Sequence, residues 1–414
     1  MTTETTRTDS PVRRRRVYYI SGFDPRGARF YHQLYTTEAK RQAPINGYQY
    51  TVGRRQKTGQ HAVTWSISAS AEGAPVGAPG TETRYTFLSW DDLVRANWPA
   101  KTWQLLVGMP GFYARYLAHG GLAKTWRLVP RCFGALVSPL VYLFLAMGAV
   151  AAISGAVYCL VLQLLTAGGL VWALAAAAGV LTAAGVARVA LAGAEKLRLP
   201  WLMRIFLFVP QWGRSPGGAL AARWDVMAEQ IAADLAADAA QTPAAPAEEV
   251  LIIGHSVGAL AALCVVDGLL QRTDGQPLHP SIKLLTFGNV TPLMGFVPQA
   301  HWFRAMLARL GQAGVRWKDY SDPADPLCYA LVNPFVACGL APSLGASLQI
   351  KSSRFGKMLT PAEHARRRRD AFGIHFQYLM ATQLPVDNDY FTLTAGPQQL
   401  AVQPSPLTAR ESAP

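Results

Sequence analysis

Ser256 is the residue from which a chemistry can first be read. It stands in Gly254-His255-Ser256-Val257-Gly258, a G-x-S-x-G pattern that sets a serine on a sharp turn between a strand and a helix. Val250 to Ile253, just before it, is a short β-branched apolar run suited to a strand buried on both faces. Val257 to Leu270, just after it, is rich in alanine and leucine and reads as a helix. A serine hydroxyl is a poor nucleophile until a base takes its proton, and it must stand clear of the sheet for base and carbonyl to reach it. The glycines at 254 and 258 allow strand and helix to close around a strained serine backbone. The chemistry implied is attack on a carbonyl through a covalent intermediate.

Such a serine needs a base, and the base needs a group to orient it. His375, in Phe372-Gly373-Ile374-His375-Phe376-Gln377-Tyr378, is one candidate base. His364 is another, beside Arg366 to Arg369, whose like charges disfavour its protonated form. His255, next to the serine, reads as a packing residue. The acids cluster in Lys318-Asp319-Tyr320-Ser321-Asp322-Pro323-Ala324-Asp325-Pro326. Asp319 falls within an expected strand, whereas Asp322 and Asp325 each precede a proline in a loop.

The elements that must position these residues alternate between strand and helix. Strand-like runs are Val17 to Ile20, Gly47 to Arg54, His61 to Ser70, Thr83 to Ser89, Val250 to Ile253, Ile282 to Phe287 and Val315 to Tyr320. The second and third are joined by a short glycine-containing loop, as in a hairpin. Helical patterns cover Phe30 to Gln42 (ending before Pro44), the stretch from Trp90, Leu220 to Ala240, Val257 to Leu270 and His301 to Leu310, with a shorter one within Phe372 to Thr382. This alternation predicts an α/β fold with a mostly parallel sheet covered by helices, whose ligands bind at the carboxyl ends of the strands. Ser256, the Asp322/Asp325 loop and the Ser21-to-Gly27 loop all follow such strands.

A second stretch dominates the chain. Between Arg131 and Arg188 lie 56 residues without Asp, Glu, Lys, Arg or His. A single helix of that length would reach about 84 Å, against about 30 Å for a bilayer core. Thr166-Ala167-Gly168-Gly169 divides it, so two spans, near Leu136 to Leu165 and Leu170 to Ala187, fit better. An apolar lid over the site is the competing reading, but a lid must meet water on one face, and this block has no charged face. Lys101, Arg115, Lys124, Arg127 and Arg131 precede it, and Arg188, Lys196, Arg198 and Arg204 follow. The positive-inside rule puts both ends in the cytoplasm, making this an integral protein of the inner (cytoplasmic) membrane.

The organisation expected is a basic disordered tail (1–16), a first α/β segment (17–130), a transmembrane hairpin (131–195), a second α/β segment carrying the serine turn (196–395) and a disordered tail (396–414). The net charge of +14 sits in runs such as Arg13 to Arg16 and in the flanks of the apolar block, with no aromatic interleaving. That distribution favours an anionic membrane surface over nucleic acid. Cys132, Cys159, Cys264, Cys328 and Cys338 show neither metal-ligand spacing nor an even disulfide framework, and suit a reducing compartment. With no nucleotide loop and no metal motif, no cofactor is expected.

Taken together, the chain resembles the α/β-hydrolase superfamily, in particular its lipase- and esterase-like members. Gly-His-Ser-Val-Gly resembles their nucleophile elbow, and Leu284-Leu285-Thr286-Phe287-Gly288-Asn289 the strand and turn that follow it. The likeness covers roughly 17–98 and 201–391. The membrane hairpin before the elbow strand departs from the pattern, and the early strands do not match one by one. The resemblance implies the chain order nucleophile, acid, base, hence Ser256, Asp325 and His375. Asp322 is the alternative acid; Asp325 is preferred because such chains often place the acid just before the next short apolar run. The oxyanion donors implied are the backbone N–H groups of Val257 and, from the loop after the first strand, Phe23; Pro25 has no N–H. The activity implied is a membrane-anchored serine hydrolase acting on an acyl ester or thioester, a lipid ester included. A catalytically silent scaffold and an acyltransferase using the same site are the competing functions. No protein partner is implied.

Overall fold

Why residues far apart in sequence meet is explained by one mixed sheet. The computed structural model describes residues 11–75, 80–165, 168–241, 247–273 and 276–402. It places β1 (Arg14–Ile20), β2 (Tyr48–Val52), β3 (Gln56–Lys57), β4 (Ala62–Ala71), β5 (Thr81–Leu88), β6 (Glu249–His255), β7 (Ile282–Phe287), β8 (Trp317–Ser321) and β9 (Leu348–Ser352) in one nine-stranded sheet. The order is β2-β4-β5-β1-β6-β7-β8-β9, with β3 on β4. From β5 to β9 every neighbouring pair is parallel, while β2, β3 and β5 run antiparallel to β4.

Apolar continuity explains the central strands. All seven residues of β6 are buried, as are the last six of β1, which requires cover on both faces. On one face Val17, Tyr19, Leu251 and Ile253 pack with Tyr31 and Tyr35 of the helix Gly27–Asn46. On the other, the Tyr18 hydroxyl donates to Asp234 of the helix Ala219–Gln241 (3.2 Å). Successive residues pointing to opposite faces is the strand's period of two.

Several elements differ from the sequence-based expectation. The first helix runs through Pro44 and stops at Gly47, whose left-handed φ of 72° lets its N–H cap Ala43 O. A proline this close to a C-terminus forfeits only one interior bond, so the glycine decides the end. Arg14 to Arg16, expected in a loose tail, begin β1. Arg15 is buried, bonded to Glu249 (2.7 Å) and to the carbonyls of Gly396 and Gln398 (both 2.7 Å). Leu400 N–H and Lys283 also reach Glu249. A buried cation must be paired and fully hydrogen-bonded, and it thereby orders residues 396–400 of the expected tail. The edge strands β3 and β9 were not anticipated. The rest of the terminal tails (1–10 and 403–414), the linker residues 76–79 and 242–246, and residues 166–167 of the expected turn lie outside the described residues.

The described chain divides into two compact units. The first holds the sheet and comprises Met1–Trp98, Tyr116–Cys132 and Val209–Pro414; the second comprises Pro99–Arg115 and Phe133–Phe208. Within the second, two apolar helices dominate, Pro130–Leu164 (35 residues) and Gly169–Lys196 (28 residues). They are about 52 and 42 Å long at 1.5 Å per residue, more than enough for a bilayer core. They pack antiparallel: the Tyr142 hydroxyl donates to Ala190 O (2.7 Å), and Tyr158 lies against Trp172. Among the described residues, every exposed large hydrophobic side chain except Val226, Leu331 and Leu384 falls between Trp103 and Leu197.

Candidate active site

Close backbone packing builds the serine turn. Ser256 has φ 58° and ψ −127°, a conformation that costs a non-glycine residue on the order of 1–3 kcal/mol and persists only where its surroundings enforce it. The enforcement is visible on both sides. A Cβ on Gly254 would come within 2.5 Å of Gly258 O and 2.6 Å of Ala259 Cα. One on Gly258 would lie 2.4 Å from Ile20 O and 2.5 Å from Ser21 O at the end of β1. Ser256 N–H donates to Phe287 O (2.8 Å), fastening the turn to β7. Ser256 itself is 8% exposed.

The structure brings His375 and Asp325 together. His375 Nδ1 lies 2.7 Å from Asp325 Oδ2, and both side chains are buried. Donation from Nδ1–H leaves Nε2 as the unprotonated nitrogen, the form a general base requires. Asp325 follows β8 in a tight loop, closed by Asp325 N–H bonding Asp322 O (2.9 Å), and its second oxygen accepts Leu327 N–H (2.9 Å). Burial alone would push this carboxyl up, but the charge and hydrogen bond of His375, with the Leu327 N–H, hold it below the usual aspartate value. Asp322 is differently occupied. It accepts the N–H groups of Ala324 (2.8 Å) and Phe355 (2.9 Å) and so ties the end of β8 to the chain after β9.

Tyr378 was not anticipated as part of this cluster. Its hydroxyl accepts Asp322 N–H (3.0 Å) and donates to Asp325 Oδ2 (3.0 Å). One turn separates it from His375, a spacing that could have flagged it, since residues three apart share a helical face. Gly288 makes room for both rings: at φ 57°, a Cβ there would lie 3.0 Å from His375 Cε1 and from Tyr378 Cε2. His255 packs beside His375 with ring centroids 4.8 Å apart, and its Nε2–H donates to His375 O (3.0 Å). Burial, and next the neighbouring His375, push its own pKa down to about 3, so His255 is neutral. His364 stands on the separate helix Pro361–Arg367, facing Gly356.

The loop after β1 lies directly on the serine. A Cβ at Gly22 would be 3.1 Å from Ser256 Cβ and 3.6 Å from its Oγ, which places the neighbouring Phe23 beside the turn. The Phe23 ring is buried and stacks on Trp98 at 5.4 Å, while Trp90 Nε1–H donates to Ser21 O (2.9 Å). Buried Asp24 accepts Arg26 and the Tyr31 hydroxyl (2.8 Å), and the Arg26 guanidinium lies 3.9 Å from the Phe30 ring centroid and 5.1 Å from that of Phe376. Val257, the other expected donor, is the first residue of the helix Val257–Gln271, where a backbone N–H has no partner within its own helix.

The arrangement therefore holds a strained serine, a histidine–aspartate pair and a buried loop at the carboxyl edge of parallel strands. Among the described residues no hydrogen bond joins Ser256 Oγ to His375, and no group of three metal-binding side chains is present. No protein-family model, no curated protein and no solved structure matches this chain.

Proposed function

We propose that the chain is a membrane-anchored serine hydrolase of the α/β-hydrolase type, cleaving an acyl ester or thioester. The observation that carries this reading is the strained Ser256 turn at the same sheet edge as the 2.7 Å His375–Asp325 pair. Ser256 Oγ attacks the carbonyl carbon while His375 Nε2 takes its proton. The oxyanion formed is held by the N–H groups of Val257 and Phe23. His375 then protonates the departing alcohol or thiol, leaving an acyl-serine. Water, deprotonated by the same histidine, releases the carboxylic acid and restores the serine. Asp325 keeps the imidazole oriented and stabilises its cationic form.

Support for the membrane part comes from the exposed apolar surface of the two long helices, which no aqueous face relieves. On the positive-inside rule, the basic flanks favour a cytoplasmic hydrolase unit on a protein integral to the inner membrane.

The test is covalent labelling of membranes with a fluorophosphonate. The full chain labels, and Ser256→Ala abolishes the signal with folding intact, because little packing volume is lost. An unlabelled wild-type chain would mean a silent scaffold. Labelling with acyl transfer to an alcohol in place of water would make it an acyltransferase.

A further inference from the structure

The membrane unit carries a half-open apolar pocket that an anchor alone does not need. It has a volume of about 700 Å³, within the size range of ligand pockets. Its walls come from four helices: Thr102–Ala118, Pro130–Leu164, Gly169–Lys196 and Leu199–Arg214. Along the first long helix the lining runs from Pro139 to Ala151, about 18 Å of axial rise, so the space is elongated.

Its chemistry is uniform. The lining contains no charged side chain. Its two tyrosines have turned their hydroxyls away into the backbone, Tyr113 to Leu136 O (2.8 Å) and Tyr142 to Ala190 O (2.7 Å). Only Thr102, at one end, brings another side-chain hydroxyl. Small residues, Ala146, Ala187, Ala190 and Ala194, open the space. Water is poorly held here, because an ordered water needs two to four polar partners and this lining offers few. A headgroup fails for the same reason.

We infer that this pocket binds one acyl chain of a membrane phospholipid. The inference rests on the two long helices spanning a bilayer, not on the hydrolase reading. In that setting the surrounding medium is hydrocarbon, and the elongated apolar space matches a single extended chain. The exposed basic residues Lys101 and Lys196 lie at helix ends next to the lining positions Thr102 and Ala194. They supply the attraction that selects a lipid with an anionic headgroup. The site differs from a general lipid-facing surface in being walled by helices that flank the spans as well as by the spans themselves.

The test uses the full chain carrying Ser256→Ala, so that no ester is turned over, in vesicles containing phosphatidylglycerol with a photoreactive acyl chain. Retention in the pellet after carbonate extraction first establishes that the protein spans the bilayer. Crosslinks are then mapped by mass spectrometry. The expected result is adduct formation concentrated at Met109, Leu143 and Met203, which line the space and are not themselves exposed, lost in Ala190→Phe, which fills the space, and retained in Leu181→Phe on the exposed surface. Adducts spread evenly over exposed positions such as Leu181 and Val189, or an unchanged pattern in Ala190→Phe, would overturn the proposal. If Ala190→Phe fails to accumulate, Ala146→Leu provides the same filling with less volume and must also reduce the adducts. Release by carbonate would remove the membrane premise and overturn the inference with it, whatever the serine labels.

Discussion

The two candidate acids are chemically identical, and only their partners distinguish them. Asp325 faces His375 Nδ1, and Asp322 faces backbone N–H groups. Asp325→Asn is expected to lower kcat by about four orders of magnitude, since an amide stabilises the wrong imidazole tautomer and no developing cation. Asp322→Asn keeps an acceptor oxygen and is expected to cost about 1 kcal/mol of stability with a small change in kcat. Ester hydrolysis measured beside thermal unfolding separates the two, and the reverse ranking would move the acid to Asp322. Tyr378→Phe removes a donor to Asp325 while leaving the ring in place. We expect kcat to fall about tenfold or more, as for a hydrogen bond to a charged group, with KM unchanged; an unchanged kcat would make Tyr378 merely structural. His255 carries a stability signature. Its pKa is depressed to about 3 from an ordinary 6.5, so between those values the unfolded chain binds a proton that the folded chain does not. Its contribution is complete above pH 6.5 and is lost as pH falls through that window. Buried Asp319, raised to about 6, acts with opposite sign. The readout is therefore the difference between wild type and His255→Gln: wild type should lose more stability on going from pH 7 to pH 4, and parallel curves would refute the assignment.

At the scale of elements, the serine turn depends on two glycines more than on any side chain. An added methyl at Gly258 meets the carbonyl oxygens of Ile20 and Ser21, which are backbone and cannot rotate aside. Gly258→Ala should therefore exceed the ~1–3 kcal/mol of ordinary overpacking and prevent accumulation of folded protein. Gly134→Ala, where nothing lies within 4 Å, should be tolerated; expression and thermal unfolding compare them. These elements also show what the sequence made legible. Val250 to Ile253 and Ile282 to Phe287 announce themselves because strands buried on both faces must be continuously apolar. The β9 strand, Leu348–Ser352, did not, because an edge strand carrying Gln349, Lys351 and Ser352 buries only Leu348 fully and has weak periodicity. The first helix outlasts the stop that Pro44 signals, because Gly47 caps it three residues later. Arg14 to Arg16 looked like a solvated charge run. Nothing local indicates that Glu249 and Lys283 share a buried network with Arg15. The Ser256 turn was readable because its demands are local. The relation of Asp325 to Tyr378 was not, because it depends on how a short helix packs across β8.

At the scale of the whole molecule, the charge distribution and the two long helices make a joint prediction about topology. Two antiparallel helices return the chain to the side from which it entered, so Arg131 and Arg188 must lie on the same face of a bilayer. Five basic residues precede the uncharged stretch and four follow it within the segments 101–131 and 188–204, and its turn carries none. The positive-inside rule predicts that both flanks are cytoplasmic and that Gly168 is outside. Two spans insert in effect irreversibly, unlike one surface helix or one acyl chain, so carbonate at high pH should leave the protein in the membrane pellet. A cysteine placed at Gly168, with exposed Cys159 replaced by alanine, should then react with an impermeant thiol reagent added to intact cells. Cys132, Cys328 and Cys338 are buried and should stay silent, which the parent variant without the Gly168 cysteine checks. Labelling only after the membrane is opened would mean a re-entrant hairpin or the opposite orientation. The opposite orientation would carry the Ser256 unit into an oxidising compartment, where its four free thiols, Cys132, Cys264, Cys328 and Cys338, are hard to reconcile with a stable protein.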